Sequence, residues 1–146
     1  MVKLSMPVGL LLESAIAGGV SGERLLEVVK SRNYEALQHV GKEESSWAYF
    51  FDFAEQNWEM VVSAITMGYT FKFITIRGLL NLMQTKYKLK ENEDFLLSES
   101  GMEMNLSDEQ LDFLRSRIPS QWAFKKQEHT KYGVQAFLTQ TTSTNV

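Results

Sequence analysis

A long run of regularly spaced apolar residues constrains this chain more than any other feature. From Ser46 onward, Trp47, Phe50, Phe51, Ala54, Trp58, Val61, Val62 and Ile65 recur at intervals of three and four. That spacing sets side chains on one face of a helix and is kept up for about five turns. Asp52, Glu55, Gln56 and Glu59 fall on the other side. Gly68 interrupts, and Phe73, Ile76, Leu80, Met83 and Tyr87 then resume the same spacing. The pattern predicts two long helices joined near Met67 to Thr70. Residues 69–76, YTFKFITI, are β-branched and aromatic and suit a strand by propensity, but their continuation into RGLLNLMQTKY favours helix.

The flanking segments also read as helical. The opening MVKLSMPVGLLLESAIAGGV has the order of a signal peptide, yet Glu13 interrupts an apolar region that would need about 7–15 unbroken residues. A short helix with Pro7 in its first turn, ending at Gly18-Gly19, is the better reading. Ser21 caps a second helix that buries Leu25, Leu26, Val28 and Val29, and Asn33 starts a third, Tyr34 to Val40, stopped by Gly41. The cluster KYKLKENED, 86–94, is a solvated helix end and turn. Residues 95–105 read equally as a helix ending at Gly101 or as a hairpin turning at Ser100-Gly101. Ser107 and Gln110 have capping-box spacing ahead of Leu111, Leu114 and Ile118, and Pro119 ends that helix. Ser120 then caps a final helix through Trp122, Ala123, Lys126 and His129. The expectation is one all-α domain of six to eight helices over residues 1–138, followed by a flexible tail, 139–146. No apolar run approaches the roughly 18 residues that span a bilayer, so a cytoplasmic location is expected.

Composition removes most chemistry. A net charge of −3 leaves no surplus of cations for a phosphate backbone, so nucleic acid is not expected as a partner. The absence of cysteine excludes disulfides, thiolate catalysis and cysteine-held metals. Of the two histidines, His39 sits at a helix C-terminus, where it complements the dipole, and His129 lies in the polar stretch KKQEHTKY. They have no metal-ligand spacing, and the phosphate and acyl-transfer motifs GxxxxGK[ST], GxGxxG and GxSxG are missing. Catalytic residues, metal and cofactor are all expected to be absent.

What remains is the aromatic and methionine-rich centre, which either fills itself as a plain core or encloses an elongated apolar cavity. Tyr69, Lys72 and Arg77 are embedded in it. Long cations in such a place either reach out to solvent or face an internal anion.

A haem globin needs a proximal histidine roughly two thirds along its chain, where this sequence has LLNLMQTKYKLKEN. Over nearly its whole length the chain resembles the non-haem globin sensor domains of sporulating bacilli, free-standing or at the N-terminus of sporulation sensor histidine kinases. The resemblance lies in PVGLLLESAIAGGVSGERLLEVVKSRN, SWAYFFDFAEQNWEMVVSAITMGYTFKF and ITIRGLLNLM. It implies a dimeric globin-like helical bundle without haem, a hydrophobic tunnel for a fatty acid and a chamber for a small anion such as chloride. It also implies inhibition of sporulation by sequestering the signal of a sensor kinase. On this reading the acyl chain lies against Phe51, Trp58, Val62, Ile65, Phe73, Ile76, Leu80 and Met83, and its carboxylate or a nearby anion meets Tyr69, Lys72 or Arg77. The alternatives are a winged-helix-like transcription regulator, from the hairpin option at residues 95–105, and a purely dimeric interaction module.

Overall fold

The computed structural model describes residues 1–97, 101–119, 121–127 and 132–138. The chain divides into two compact units, Met1–Lys72 and Phe73–Val146.

The first unit begins with strand β1 (Val2–Leu4), followed by α1 (Met6–Ala17), α2 (Gly22–Ser31), a 3-10 helix (Tyr34–Val40), α3 (Glu44–Gln56), α4 (Trp58–Met67) and strand β2 (Tyr69–Phe71). β1 and β2 pair in parallel, Val2 opposite Tyr69 and Leu4 opposite Phe71, so the helices form one long crossover between them. Several local signals act as the sequence suggests. Pro7 occupies the first turn of α1, the Ser21 hydroxyl accepts from the Arg24 N–H at 3.1 Å, and Gly41 closes the 3-10 helix at φ 90°. The long periodic run does not form one helix. Asn57 leaves the helical region at φ −134°, and its side-chain amide donates to the Phe53 carbonyl at 3.0 Å, occupying the acceptor that a continuing helix would share only with backbone. Leu12, Leu25, Val28, Leu37, Trp47, Phe50 and Phe71 make the core of this unit.

The second unit contains α5 (Ile76–Tyr87), β3 (Phe95–Leu97), β4 (Gly101–Met104), α6 (Asp108–Arg117), β5 (Trp122–Lys126) and β6 (Val134–Leu138). Its strands form an antiparallel sheet in the order β3-β4-β6-β5. α5 starts at a capped Thr75, whose hydroxyl accepts from the Gly78 N–H at 3.0 Å, and α6 starts at a complete Ser107–Gln110 capping box. Leu79, Leu82, Phe95, Met102, Met104, Leu114 and Trp122 are buried, and the Trp122 indole N–H donates to the Ile74 carbonyl at 2.9 Å.

The all-α, globin-like expectation is therefore overturned. Among the described residues there are seven helices, but also six strands in two sheets, so the fold is mixed α/β. Three segments account for four of the six strands, and β1 and β6 supply their partners. Residues 69–71 follow their β propensity because β1 supplies a partner, and the helix expected to continue through them begins only at Ile76. Of residues 95–105, Phe95–Leu97 and Gly101–Met104 are strands as in the hairpin alternative, with Phe95 opposite Met104, while the expected turn residue Ser100 lies outside the described residues. The final helix expected through Trp122, Ala123 and Lys126 is strand β5, paired along its length with β6. Ser120, His129 and the expected tail, 139–146, lie outside the described residues.

Candidate functional site

In the first unit, α2, α3 and α4 border a half-open cavity of about 230 Å³, lined by Val29, Lys30, Arg32, Phe51, Ala54, Glu55 and Trp58. Its floor follows from helical spacing. Phe51 and Ala54 face inward from α3 and are buried, Val29 joins them from α2, and Trp58 opens α4 just after the break at Asn57. These four side chains make an apolar, partly aromatic surface.

The rim is charged, and its geometry starts from the end of α2. Arg32 terminates that helix in the left-handed region at φ 54°, with its N–H donating back to the Val28 and Val29 carbonyls. A residue other than glycine in this conformation costs on the order of 1–3 kcal/mol. The turn aims the guanidinium across to α3, where it donates to Asp52 Oδ1 at 2.7 Å and to Glu55 Oε2 at 3.3 Å, with its carbon 5.7 Å from the centre of the Phe51 ring. Asp52 and Glu55 stand three apart on the polar side of α3, so one guanidinium reaches both. Lys30 places its Nζ 5.7 Å from the centre of the Trp58 ring. A cation over each aromatic wall gives the cavity an apolar interior beneath a mouth that can meet an anionic group.

Two further hollows lie among the described residues. One of about 540 Å³ is open and runs along Pro7, Leu10, Leu11, Lys42, Ser45, Ser46 and Tyr49. One of about 410 Å³ in the second unit is lined by Lys86, Tyr87, Ser107, Glu109, Gln110 and Phe113, and the Lys86 ammonium lies 4.3 Å from the Phe113 ring centre.

Of the residues expected to line an acyl tunnel, Phe51 and Trp58 meet in the α2–α4 cavity. Val62 and Ile65 are half-buried on α4, with Ile65 packed on Gly22 at the start of α2. Phe73, Ile76, Leu80 and Met83 belong to the second unit, where Leu80 and Met83 are buried and Phe73 is 52% exposed. The polar candidates also separate. The Tyr69 hydroxyl is buried and donates to Glu13 Oε2 at 2.6 Å, while Lys72 and Arg77 are exposed and line none of the three hollows. The cations at the apolar cavity are instead Lys30 and Arg32, which sequence reasoning passed over. The only available signal was the end of the α2 pattern, where two cations flank Ser31. The sequence likewise marks Glu13 only as a break in a signal-like stretch, with nothing to signal its burial.

His39, expected to complement a helix end, donates from Nε2 to the Gly18 carbonyl at 3.0 Å. Among the described residues no group of three His, Asp or Glu side chains could hold a metal ion, and no helix is long and apolar enough to cross a membrane.

Fold and cavity together define a mixed α/β chain whose first unit holds an aromatic-floored hollow rimmed by Lys30, Arg32 and Glu55. No protein-family model, curated protein or solved structure matches the chain.

Proposed function

We propose that the chain is a non-enzymatic module that binds a medium-chain fatty acid in the α2–α4 cavity. The observation that carries this reading is the pairing of the apolar floor, Val29, Phe51, Ala54 and Trp58, with Lys30 and Arg32 at the mouth. The aliphatic tail would displace water from the floor, and the carboxylate would meet the two cations. Size limits the ligand. An apolar cavity of about 150 Å³ holds benzene, so about 230 Å³ accommodates roughly nine carbons rather than a long acyl chain. At about 0.8 kcal/mol per buried methylene, such a tail contributes at most about 7 kcal/mol before ordering costs. A Kd between about 10 µM and 1 mM follows.

Binding of this strength suits sensing by occupancy or titration of a shared signal, which is the role in sporulation signalling that the family resemblance implies. Because that resemblance also implied a globin-like bundle, support for the binding reading comes from the cavity itself. The cytoplasmic and dimeric expectations belong to the same proposal.

Titration with sodium decanoate, followed by tryptophan fluorescence and by thermal melting, tests the proposal. The expected result is saturable quenching that Trp58→Ala abolishes, with a Tm that rises with ligand concentration. Unchanged fluorescence and Tm up to a few millimolar decanoate would overturn it.

A further inference from the structure

We infer that Arg32 is the specificity-determining residue of this cavity, and that Glu55 is an exchangeable occupant of the place a ligand carboxylate takes. The inference rests on the α2–α4 cavity being the ligand site. It starts from an asymmetry between the two acids that hold the guanidinium. Asp52 accepts from one terminal nitrogen at 2.7 Å, and Glu55 accepts from the other at 3.3 Å. Side-chain exposure is 42% for Arg32, 68% for Asp52 and 73% for Glu55, so both pairs are solvated and individually weak. The longer of two exposed bonds is the one most easily given up.

The positions of the two acids match that division. Glu55 lines the cavity and Asp52 does not. Asp52 therefore anchors the guanidinium while Glu55 covers its cavity-facing edge. The left-handed turn at Arg32 fixes the root of the side chain at the end of α2, and the Phe51 ring lies beneath its planar group. A carboxylate entering above Phe51 finds a pre-oriented fork whose nearer prong is held by a weak, replaceable partner. Exchange of one carboxylate for another keeps the guanidinium satisfied, and the freed Glu55 side chain turns to water. A neutral ligand with the same tail has no reason to displace Glu55.

The test compares decanoate with 1-decanol on the full chain, using tryptophan fluorescence on wild type, Glu55→Gln, Asp52→Asn and Arg32→Asn. Asparagine tolerates the left-handed region, so the last variant keeps the helix end while removing the guanidinium. Glu55→Gln is expected to bind decanoate about three- to tenfold more tightly, because the competing charge is gone. Asp52→Asn weakens decanoate by a similar factor through loss of the anchor, and Arg32→Asn weakens it at least tenfold. Decanol binds all four proteins within about twofold. Decanoate affinity that is unchanged or lower in Glu55→Gln, or an equal loss of both probes in Arg32→Asn, would overturn the assignment while leaving the cavity as a binding site. Failure of both probes on wild type would instead remove the cavity reading and this inference with it.

Discussion

The Tyr69 hydroxyl donates to the Glu13 carboxyl group at 2.6 Å, joining the first strand residue after α4 to the middle of α1. Glu13 is only 3% exposed, and each hydrogen bond to a buried carboxyl group offsets part of the cost of burying it. Tyr69→Phe keeps the ring, which packs edge-on against Phe71 at 5.3 Å, and removes only the donor. The expected cost is about 1–3 kcal/mol, read as a lower urea midpoint with unchanged slope. A loss below about 0.5 kcal/mol would mean that the hydroxyl contributes little to holding the carboxyl group.

Two glycines mark places where the backbone is approached too closely for any side chain. A Cβ at Gly101 would overlap the backbone carbonyl of Ala136 across the β4–β6 pair, and one at Gly9 would overlap the Phe71 ring. Gly101→Ala has no flexible neighbour to yield and is expected to cost about 3 kcal/mol or more, with broadened amide signals in β4 and β6. Gly9→Ala also clashes, but against a ring, and should cost less. Equal stability of Gly101→Ala and wild type would contradict the β4–β6 spacing.

The start of α6 carries two reciprocal bonds, the Gln110 N–H donating to the Ser107 hydroxyl at 3.1 Å and the Ser107 N–H donating to the Gln110 side chain at 2.9 Å. Ser107→Ala should cost about 1 kcal/mol, and the double variant with Gln110→Ala little more, since the box acts as a unit. Denaturant midpoints of Ser107→Ala, Gln110→Ala and the double variant measure this directly, and a double-variant cost equal to the sum of the two single costs would contradict it.

Acid dependence has an identifiable local source at the start of α6. The Lys126 ammonium donates to Asp108 at 2.9 Å, and this hydrogen bond with its charge attraction holds the Asp108 carboxyl below the ordinary carboxylate range. A group whose pKa is depressed on folding stabilises the fold above its unfolded pKa and loses that contribution as pH falls through the folded value. The Asp108 contribution is therefore present at neutral pH and fades in the acid range below the usual aspartate value. NMR titration of the Asp108 side chain should give a midpoint below that of a free aspartate, and Lys126→Met should return it. An unshifted midpoint in wild type would remove the interaction from solution.

Much of the helical framework was legible in the sequence because its determinants are local. Ser21 and Ser107 cap helices within three residues, Pro7 and Gly41 stand at helix ends, and the inward face of α3 follows a simple spacing, whereas the Thr75 cap that starts α5 lies inside a stretch read as continuous helix. The strands depend on partners far away in sequence. Tyr69–Phe71 becomes extended through Val2–Leu4, and Trp122–Lys126, whose ends share a helical spacing, becomes extended through Val134–Leu138. The site divides in the same manner. Phe51 and Trp58 emerged from periodicity along one stretch of chain, but the cations beside them come from α2. Only the crossing of α2 and α3 brings Arg32 to Asp52 and Glu55, so a search along the aromatic stretch itself arrived at Lys72 and Arg77.

The parallel pairing of β1 with β2 imposes an order of events on a growing chain. Leu4 is synthesised before its partner strand, which is made only after all five helices between them. Helices can nucleate as they emerge, but ordering Val2–Leu4 must wait until the largest loop of the unit closes. Strand β1 is therefore made before the helices of its unit and secured after them, and a nascent chain that stops short of Phe71 carries a Val2–Leu4 strand without its β2 partner.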